Sequence, residues 1–189
     1  ALRGACSRMI TGSLMTGAAV FFLSAGYSRA RRVVPLALML GLATLYKLLD
    51  ALFLRLPVLH GAVANPIFAF YTEVFAFALV AGVIRERLAD RIHGQAFLGG
   101  LAALVAVNLF PLVRFATGIP ACVYPGTGYP LALYYAPLAV AVSAAACPLG
   151  IYAARLVETF QARSLLPYPR VAAALVTVVS LAMFLIIRI

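Results

Sequence analysis

The segment from Leu45 to Glu73, LYKLLDALFLRLPVLHGAVANPIFAFYTE, decides how the rest of the chain is interpreted. It lies between two strongly apolar runs. It nevertheless contains the only lysine of the protein, Lys47, and two of its five acidic residues, Asp50 and Glu73. A charged side chain inside a bilayer is costly and usually marks a functional position. The segment therefore predicts a membrane hairpin that carries charge at membrane depth.

The composition indicates a chain that is dissolved mostly in lipid. Hydrophobic residues make up 65% of the sequence and charged residues only 11%, whereas a soluble domain carries about 25% charged residues. The net charge of +10 does not indicate nucleic-acid binding, because the arginines cluster in short loops between apolar runs. We therefore predict an all-α, polytopic integral membrane bundle in contact with the lipid bilayer.

Six segments have the length of about 20 apolar residues that a helix needs to cross the hydrocarbon core. They are predicted to form one transmembrane domain over residues 1–189, with spans at about 9–27, 33–54, 62–84, 95–113, 131–152 and 171–187. The segment 115–130, FATGIPACVYPGTGYP, is uncharged and interrupted by Pro and Gly. We expect it to form a broken loop that lies on or dips into the membrane surface.

The distribution of basic residues predicts the orientation of the bundle. If Arg29, Arg31 and Arg32 are cytoplasmic, nine basic residues lie on that side and five on the other, with Lys47 left in the membrane. The side with more basic loop residues is the cytoplasmic one. Both termini and the loop 115–130 are then outside. The expected location is a bacterial or organellar inner (cytoplasmic) membrane.

The charges of the hairpin are predicted to gather at similar depth. Lys47 and Asp50 are three apart and share a helix face, and helix rise places them roughly 5 Å and 10 Å outside the midplane. Glu73 falls near the middle of the next span. The predicted ligand-binding site is a polar patch in the outer half of the membrane, formed by Lys47, Asp50, Asn65, Tyr71, Glu73 and Asn108.

Two interpretations of this patch stay open. It can be a site for a small molecule or ion that opens to the outside, in which a protonated Glu73 would suit proton coupling. Alternatively, Lys47 is neutralised by Asp50 or Glu73, and the ion pair only locks helices together. Pairing is expected in both cases, because an unpaired charge in lipid is expensive.

The sequence assigns no catalytic residue, no metal ligand and no cofactor. The two histidines, His60 and His93, fall on opposite sides of the membrane, so they cannot share a haem or metal. No HExxH motif, nucleotide-binding loop or Ser/His/Asp group is present. We therefore expect a protein that is not an enzyme.

The expected function is that of a membrane subunit that binds or transports a small molecule or ion, together with other membrane or cytoplasmic subunits. The alternative is an accessory or structural subunit of a larger complex of the respiratory or photosynthetic type. Small residues spaced four apart, such as Gly99/Ala103 and Ser143/Cys147, allow close helix packing under either interpretation.

Two of the three cysteines, Cys6 and Cys122, fall outside in the predicted topology, where disulfides persist. A bridge between them is one hypothesis, and two independent thiols are the other. Cys147 is expected to be a small packing residue inside the fifth span.

Overall fold

The computed structural model describes residues 10–30, 33–84 and 91–162. Within these ranges the chain is almost entirely helical, which confirms the predicted all-α fold. The helices are α1 (Ile10–Ala30), α2 (Val34–Phe53), α3 (Gly61–Val83), α4 (Ile92–Leu109), α5 (Val113–Thr117), α6 (Leu131–Tyr134) and α7 (Ala136–Ala162), with a 3-10 turn at Phe110–Leu112. The sixth predicted span, about 171–187, lies outside the described residues.

Four stretches of the described chain are long and apolar enough to cross a membrane. They are Val34–Phe53, Gly61–Val83, Ile92–Thr117 and Ala136–Thr159, and they confirm a polytopic membrane protein. Helix α1 also has the length of a span, 21 residues. It is less apolar because Ser13, Thr16 and Ser24 lie along it, and all three are buried.

The fifth predicted span differs from the helices that the structure has in its place. Residues 131–134 form the separate helix α6, and α7 begins at Ala136 and continues ten residues beyond the predicted end at 152. Pro137 occupies the second position of α7, where a missing N–H removes no helical hydrogen bond. The described residues up to Tyr152 belong to one compact unit and those from Ala153 onwards to another; apart from the control position Glu158, the side chains discussed below belong to the first.

The turn between α2 and α3 fixes the hairpin that carries the charges. Arg55 adopts a left-handed conformation with φ of 50°, and the N–H of Leu56 donates to the carbonyl of Ala51 over 2.9 Å. This pattern is a Schellman ending of α2 with arginine in the position usually held by glycine. His60 caps α3, since its Nδ1 accepts from the N–H of Ala62.

The apolar core extends from the centre of the bundle towards the predicted cytoplasmic side. Leu36 lies near the start of α2 and Leu98 near the start of α4, and both ends are cytoplasmic in the predicted topology. The cluster consists of Val20, Leu23, Leu36, Phe77, Val80, Leu98, Ala102, Cys147 and Ile151. Five helices, α1 to α4 and α7, thus share one apolar core in this half of the membrane.

Close packing of α7 against α1 depends on glycine. A Cβ atom at Gly150 would overlap the carbonyl oxygen of Phe21 and the hydroxyl of Ser24. The Ser24 hydroxyl lies 2.9 Å from the carbonyl oxygen of Phe21 and 3.0 Å from that of Cys147, so it can donate to either. When the Ser24 hydroxyl donates to Cys147, it joins α1 to α7. The two helices approach so closely here that a side chain larger than glycine does not fit at position 150.

The close contact between α4 and α7 also depends on glycine. A Cβ atom at Gly99 would overlap the carbonyl oxygen of Ser143 and the side chain of Cys147. The prediction that small residues at these positions allow close helix packing is confirmed.

The loop 115–130 is ordered by a hairpin-like turn. The N–H of Leu131 donates to the carbonyl of Cys122 and the N–H of Tyr124 to that of Tyr129, both over 2.9 Å. Gly126 has φ of 79°, as required for glycine at the third position of a type II turn after proline. The rings of Tyr124 and Tyr134 stack with centroids 4.2 Å apart, which ties the turn to α6.

Candidate functional site

The charges of α2 form a salt bridge within that helix. Lys47 Nζ lies 2.7 Å from Asp50 Oδ2, as their spacing of three residues allows. The side chain of Asp50 is only 6% exposed and that of Lys47 is 24% exposed. The only lysine of the chain is therefore bound to a carboxylate of its own helix.

Glu73 lies in the middle of α3 and is buried, with 8% of its surface exposed. The hydroxyl of Thr16 on α1 faces its carboxylate. The structure thus places Glu73 against α1, whereas Lys47 bonds with Asp50. Two of the three charges predicted to form one patch are together, and the third has a different neighbour.

A row of hydroxyl groups on α1 accompanies Glu73. Ser13 and Thr16 are three residues apart, so they share a face of the helix, and both are buried. The Ser13 hydroxyl donates to the carbonyl of Tyr135 over 3.4 Å. The sequence interpretation treated Ser13 only as a packing residue and missed Thr16. The signal that could have found them is the polar pair Ser13/Thr16 at helical spacing in an otherwise apolar span.

Asn65 lies one to two turns from the start of α3. Its Oδ1 is buried and has no hydrogen-bond partner among the described residues. Pro66 follows and has no N–H to donate to the carbonyl of Ala62, so two acceptors gather at this end of the helix. Ile119 lies near Gly61, so the loop 115–130 contacts this end of α3.

Tyr71 and Asn108 lie on exposed faces. Tyr71 is 52% exposed and continues into the exposed row Phe75, Leu79 and Val83. The Asn108 amide donates to the carbonyl of Leu104, one turn earlier in α4, over 2.7 Å. These two predicted site residues therefore face outward from the described bundle and are separate from Glu73.

Two of the three cysteines belong to the described residues, and they differ in bonding. Cys122 is disulfide-bonded, and disulfides persist in oxidising compartments; this agrees with a loop 115–130 on the outer side. Cys6 lies outside the described residues, so its pairing stays a prediction. Cys147 is a free, buried thiol that packs against Gly99.

The fold and the site define the class of the protein: it is an all-α polytopic membrane protein with a buried carboxylate on α3 that faces α1. Comparison with protein-family models, curated proteins and solved structures gives no significant match. The function is therefore argued from the geometry of this site.

Proposed function

We propose that this chain is an integral membrane subunit that binds or transports a small molecule or ion, and that Glu73 supplies the charge of its binding site. The observation that carries the proposal is the environment of Glu73. Its carboxylate is buried in the middle of a span, and the side chain that faces it among the described residues carries the neutral hydroxyl of Thr16. A carboxylate at this depth requires a positive partner or a proton.

The salt bridge of α2 separates Lys47 from Glu73. Lys47 and Asp50 pair within one helix, which is one of the two pairings that the structural alternative allows, so the support for a binding site comes from Glu73. The lysine that could have neutralised Glu73 is occupied by Asp50. Among the described side chains, Thr16 is the one that acts on Glu73, so we propose that what the protein binds supplies the balancing positive charge.

The same reasoning sets the expected ligand class and location. A negatively charged site favours a proton, a metal cation or a small cationic molecule over an anion. We propose that the protein works without catalysing a covalent reaction, in a bacterial or organellar inner membrane.

The second candidate, an accessory subunit of a larger membrane complex, is favoured by a different observation. Gly41 in the middle of α2 has open space around it, and Ala37, one turn earlier, is also exposed. Small residues four apart on an exposed face allow another helix to approach. Native gel electrophoresis of the membrane extract distinguishes the two, since a strict accessory subunit migrates only in a larger complex.

The leading proposal is tested by thermal unfolding of the purified protein and of Glu73→Gln. Both are unfolded at constant ionic strength with sodium, potassium, magnesium or tetramethylammonium chloride, and over a series of pH values. A ligand at 100 times its dissociation constant stabilises by about 2.7 kcal/mol, equivalent to a rise of roughly 5–10 °C in Tm for a chain of this size. We expect one of these probes to raise the Tm of the wild type but not that of the variant.

Glu158→Gln is the matched control, because it makes the same chemical change at an exposed position. It should keep the full response. If Glu73→Gln responds to every probe as the wild type does, Glu73 does not supply the charge of a binding site and the proposal fails.

A further inference from the structure

We propose that the two connectors at the predicted outer end of the bundle form one surface that lies in the headgroup layer of the bilayer and binds lipid there. The connectors are residues 54–60, between α2 and α3, and the loop 115–130. They lie on the same side of the membrane, because α2 and the span 92–117 end there while α3 and α7 begin there. Ile119 of the loop lies near Gly61, so the loop reaches the end of the first connector.

The lengths of the spans place both connectors at the boundary of the hydrocarbon core. Helix α2 has 20 residues, or about 30 Å, which equals the thickness of that core. The stretch Ile92–Thr117 has 26 residues, or about 39 Å. The excess of about 9 Å, shared between two ends, fits headgroup layers that are roughly 5–8 Å thick on each side. Arg55, Arg114 and Phe115 therefore fall where the hydrocarbon ends.

The loop 115–130 exposes side chains that suit the interface of a bilayer. Phe115 is 85% exposed, and Val123 and Tyr129 are also exposed. Residues 115–154 carry no charged side chain, although charged residues are the ones that usually cover a surface in water. Tyrosine is enriched at membrane–water interfaces because its ring is apolar and its hydroxyl is polar. The composition therefore favours contact with lipid over contact with water.

The first connector has the same character. Val58 and Leu59 are exposed, and so are Leu52 and Phe53 at the end of α2. The exposed apolar surface thus continues from the membrane span into the connector. Lipid covers the span, and this continuity assigns the same occupant to the connector.

Two arginines stand at the boundary where lipid phosphates lie. The side chains of Arg55 and Arg114 are exposed, and neither is joined to an acidic side chain within the described part of the chain. A guanidinium group binds phosphate through paired N–H donors. Arg55 also occupies a left-handed position that glycine adopts more easily. The protein thus retains a long cationic side chain at this point despite its backbone conformation.

The loop is ordered enough to hold its side chains at one depth. The N–H of Tyr124 donates to the carbonyl of Tyr129, and the N–H of Leu131 to that of Cys122. The stacked rings of Tyr124 and Tyr134 join the turn to α6. An ordered aromatic connector of this kind is an anchor that fixes the depth of the helices on either side of it. The surface does not involve Glu73, so its test is independent of the proposed function.

The absence of tryptophan from the chain makes the depth of the loop measurable. Phe115→Trp and Tyr129→Trp each introduce the only Trp of the protein, at exposed positions. The intact protein is reconstituted in vesicles of phosphatidylcholine and phosphatidylglycerol. Part of the phosphatidylcholine carries bromine, which quenches Trp fluorescence, either near the headgroup or near the end of the acyl chains. We expect the shallow bromine to quench both variants at least twice as strongly as the deep one.

Phe75→Trp is the matched control, because Phe75 is also exposed but lies in the middle part of α3. It should show the reverse order, with stronger quenching by the deep bromine. Acrylamide is added as an aqueous quencher, and N-acetyltryptophanamide gives the response of a Trp in water. If the loop variants respond to acrylamide as this compound does and to neither brominated lipid, the loop stands in water and the proposal is wrong. If nothing quenches them, a protein chain covers the surface, and the lipid assignment is equally wrong.

The arginines are tested through the rise in Tm that phosphatidylglycerol gives to the protein in detergent. The double variant Arg55→Gln/Arg114→Gln should lose at least half of this rise. Arg91→Gln is the control, because it makes the same change at an exposed position at the other end of the bundle, and it should keep most of the rise. If the double variant keeps the full rise, or the control loses as much, Arg55 and Arg114 do not form the phosphate contacts of this surface.

Discussion

The inner and outer halves of the bundle are built on different principles. The inner half contains an apolar cluster in which Phe77 is completely buried, and its helices approach through glycine, as at Gly150. The outer half also buries apolar side chains such as Val113, but among the described residues the two buried carboxylates, Asp50 and Glu73, lie in the middle of the bundle or in this half. The same helices pass through both halves, so the difference lies in the side chains alone.

The two halves are expected to serve different purposes: the apolar cluster stabilises the bundle, and the buried charges serve its function. In lipid, helix association depends on close packing and hydrogen bonds, because hydrocarbon tails are as apolar as leucine. The inner half provides that packing. The outer half contains charges that weaken the fold unless they are paired, and such residues persist in membranes where they serve a site. Substitution of Glu73 and substitution of the apolar cluster should therefore have opposite effects on stability.

The largest loss of stability is expected for Phe77→Ala in the inner half. Removing a completely buried phenylalanine leaves a cavity and costs roughly 3–5 kcal/mol. Phe75→Ala is the control, because Phe75 is 58% exposed and only two residues away. Denaturant unfolding in detergent compares the two variants. Equal losses would show that the apolar cluster is not the stabilising part of the bundle.

The second largest loss of stability, about 3 kcal/mol, is expected for Gly150→Ala, because overpacking a tight contact forces backbone shifts. The added methyl would overlap the backbone of Phe21. Gly41→Ala is the matched variant, since Gly41 has open space around it. There the substitution should stabilise α2 by up to about 1 kcal/mol through helix propensity. If both variants lose stability alike, the close approach of α1 and α7 is not what requires glycine.

The inner half was easier to predict from the sequence than the outer half. Apolar length and helical spacing specified the spans, and small residues such as Gly99 and Cys147 indicated where helices meet, because packing in lipid depends on size. The partners of Lys47 and Glu73 depend instead on the rotation of each helix about its axis, which spacing alone does not give. The depth of the charges stays a prediction, and the sequence did not foresee that Glu73 would face Thr16.

The rotation of each helix about its axis also decides the directions of Tyr71 and Asn108, which were predicted to belong to the site. Tyr71 is only two residues from Glu73, and a rotation of 200° places it on the opposite, exposed side of α3. Asn108 lies at the predicted depth, but its amide is satisfied by its own helix. Depth could be derived from helix rise, whereas the facing direction required the packed structure.

Lys47→Met tests whether the α2 pair is structural. The substitution leaves Asp50 buried without its lysine. Breaking a fully buried pair costs about 3–5 kcal/mol, and because the Lys47 side chain is 24% exposed, we expect roughly 2 kcal/mol. The double variant Lys47→Met/Asp50→Leu should recover most of this loss, as judged by the same unfolding measurement. A double variant that is less stable than the single one would mean that Asp50 stabilises the fold through contacts other than Lys47.

The smallest expected change, and the one with the opposite sign, is the stability of Glu73→Gln. The amide has nearly the same shape and can still hydrogen-bond with Thr16, but it carries no charge to desolvate. Replacing a buried charge by a neutral group of similar volume is often stabilising, and we expect a gain of about 1 kcal/mol, measured by unfolding in buffer without added ligand. A gain in stability together with loss of the ligand response would assign Glu73 to function, as the contrast between the two halves requires. A loss as large as that of Lys47→Met would instead place Glu73 among the residues that hold the helices together.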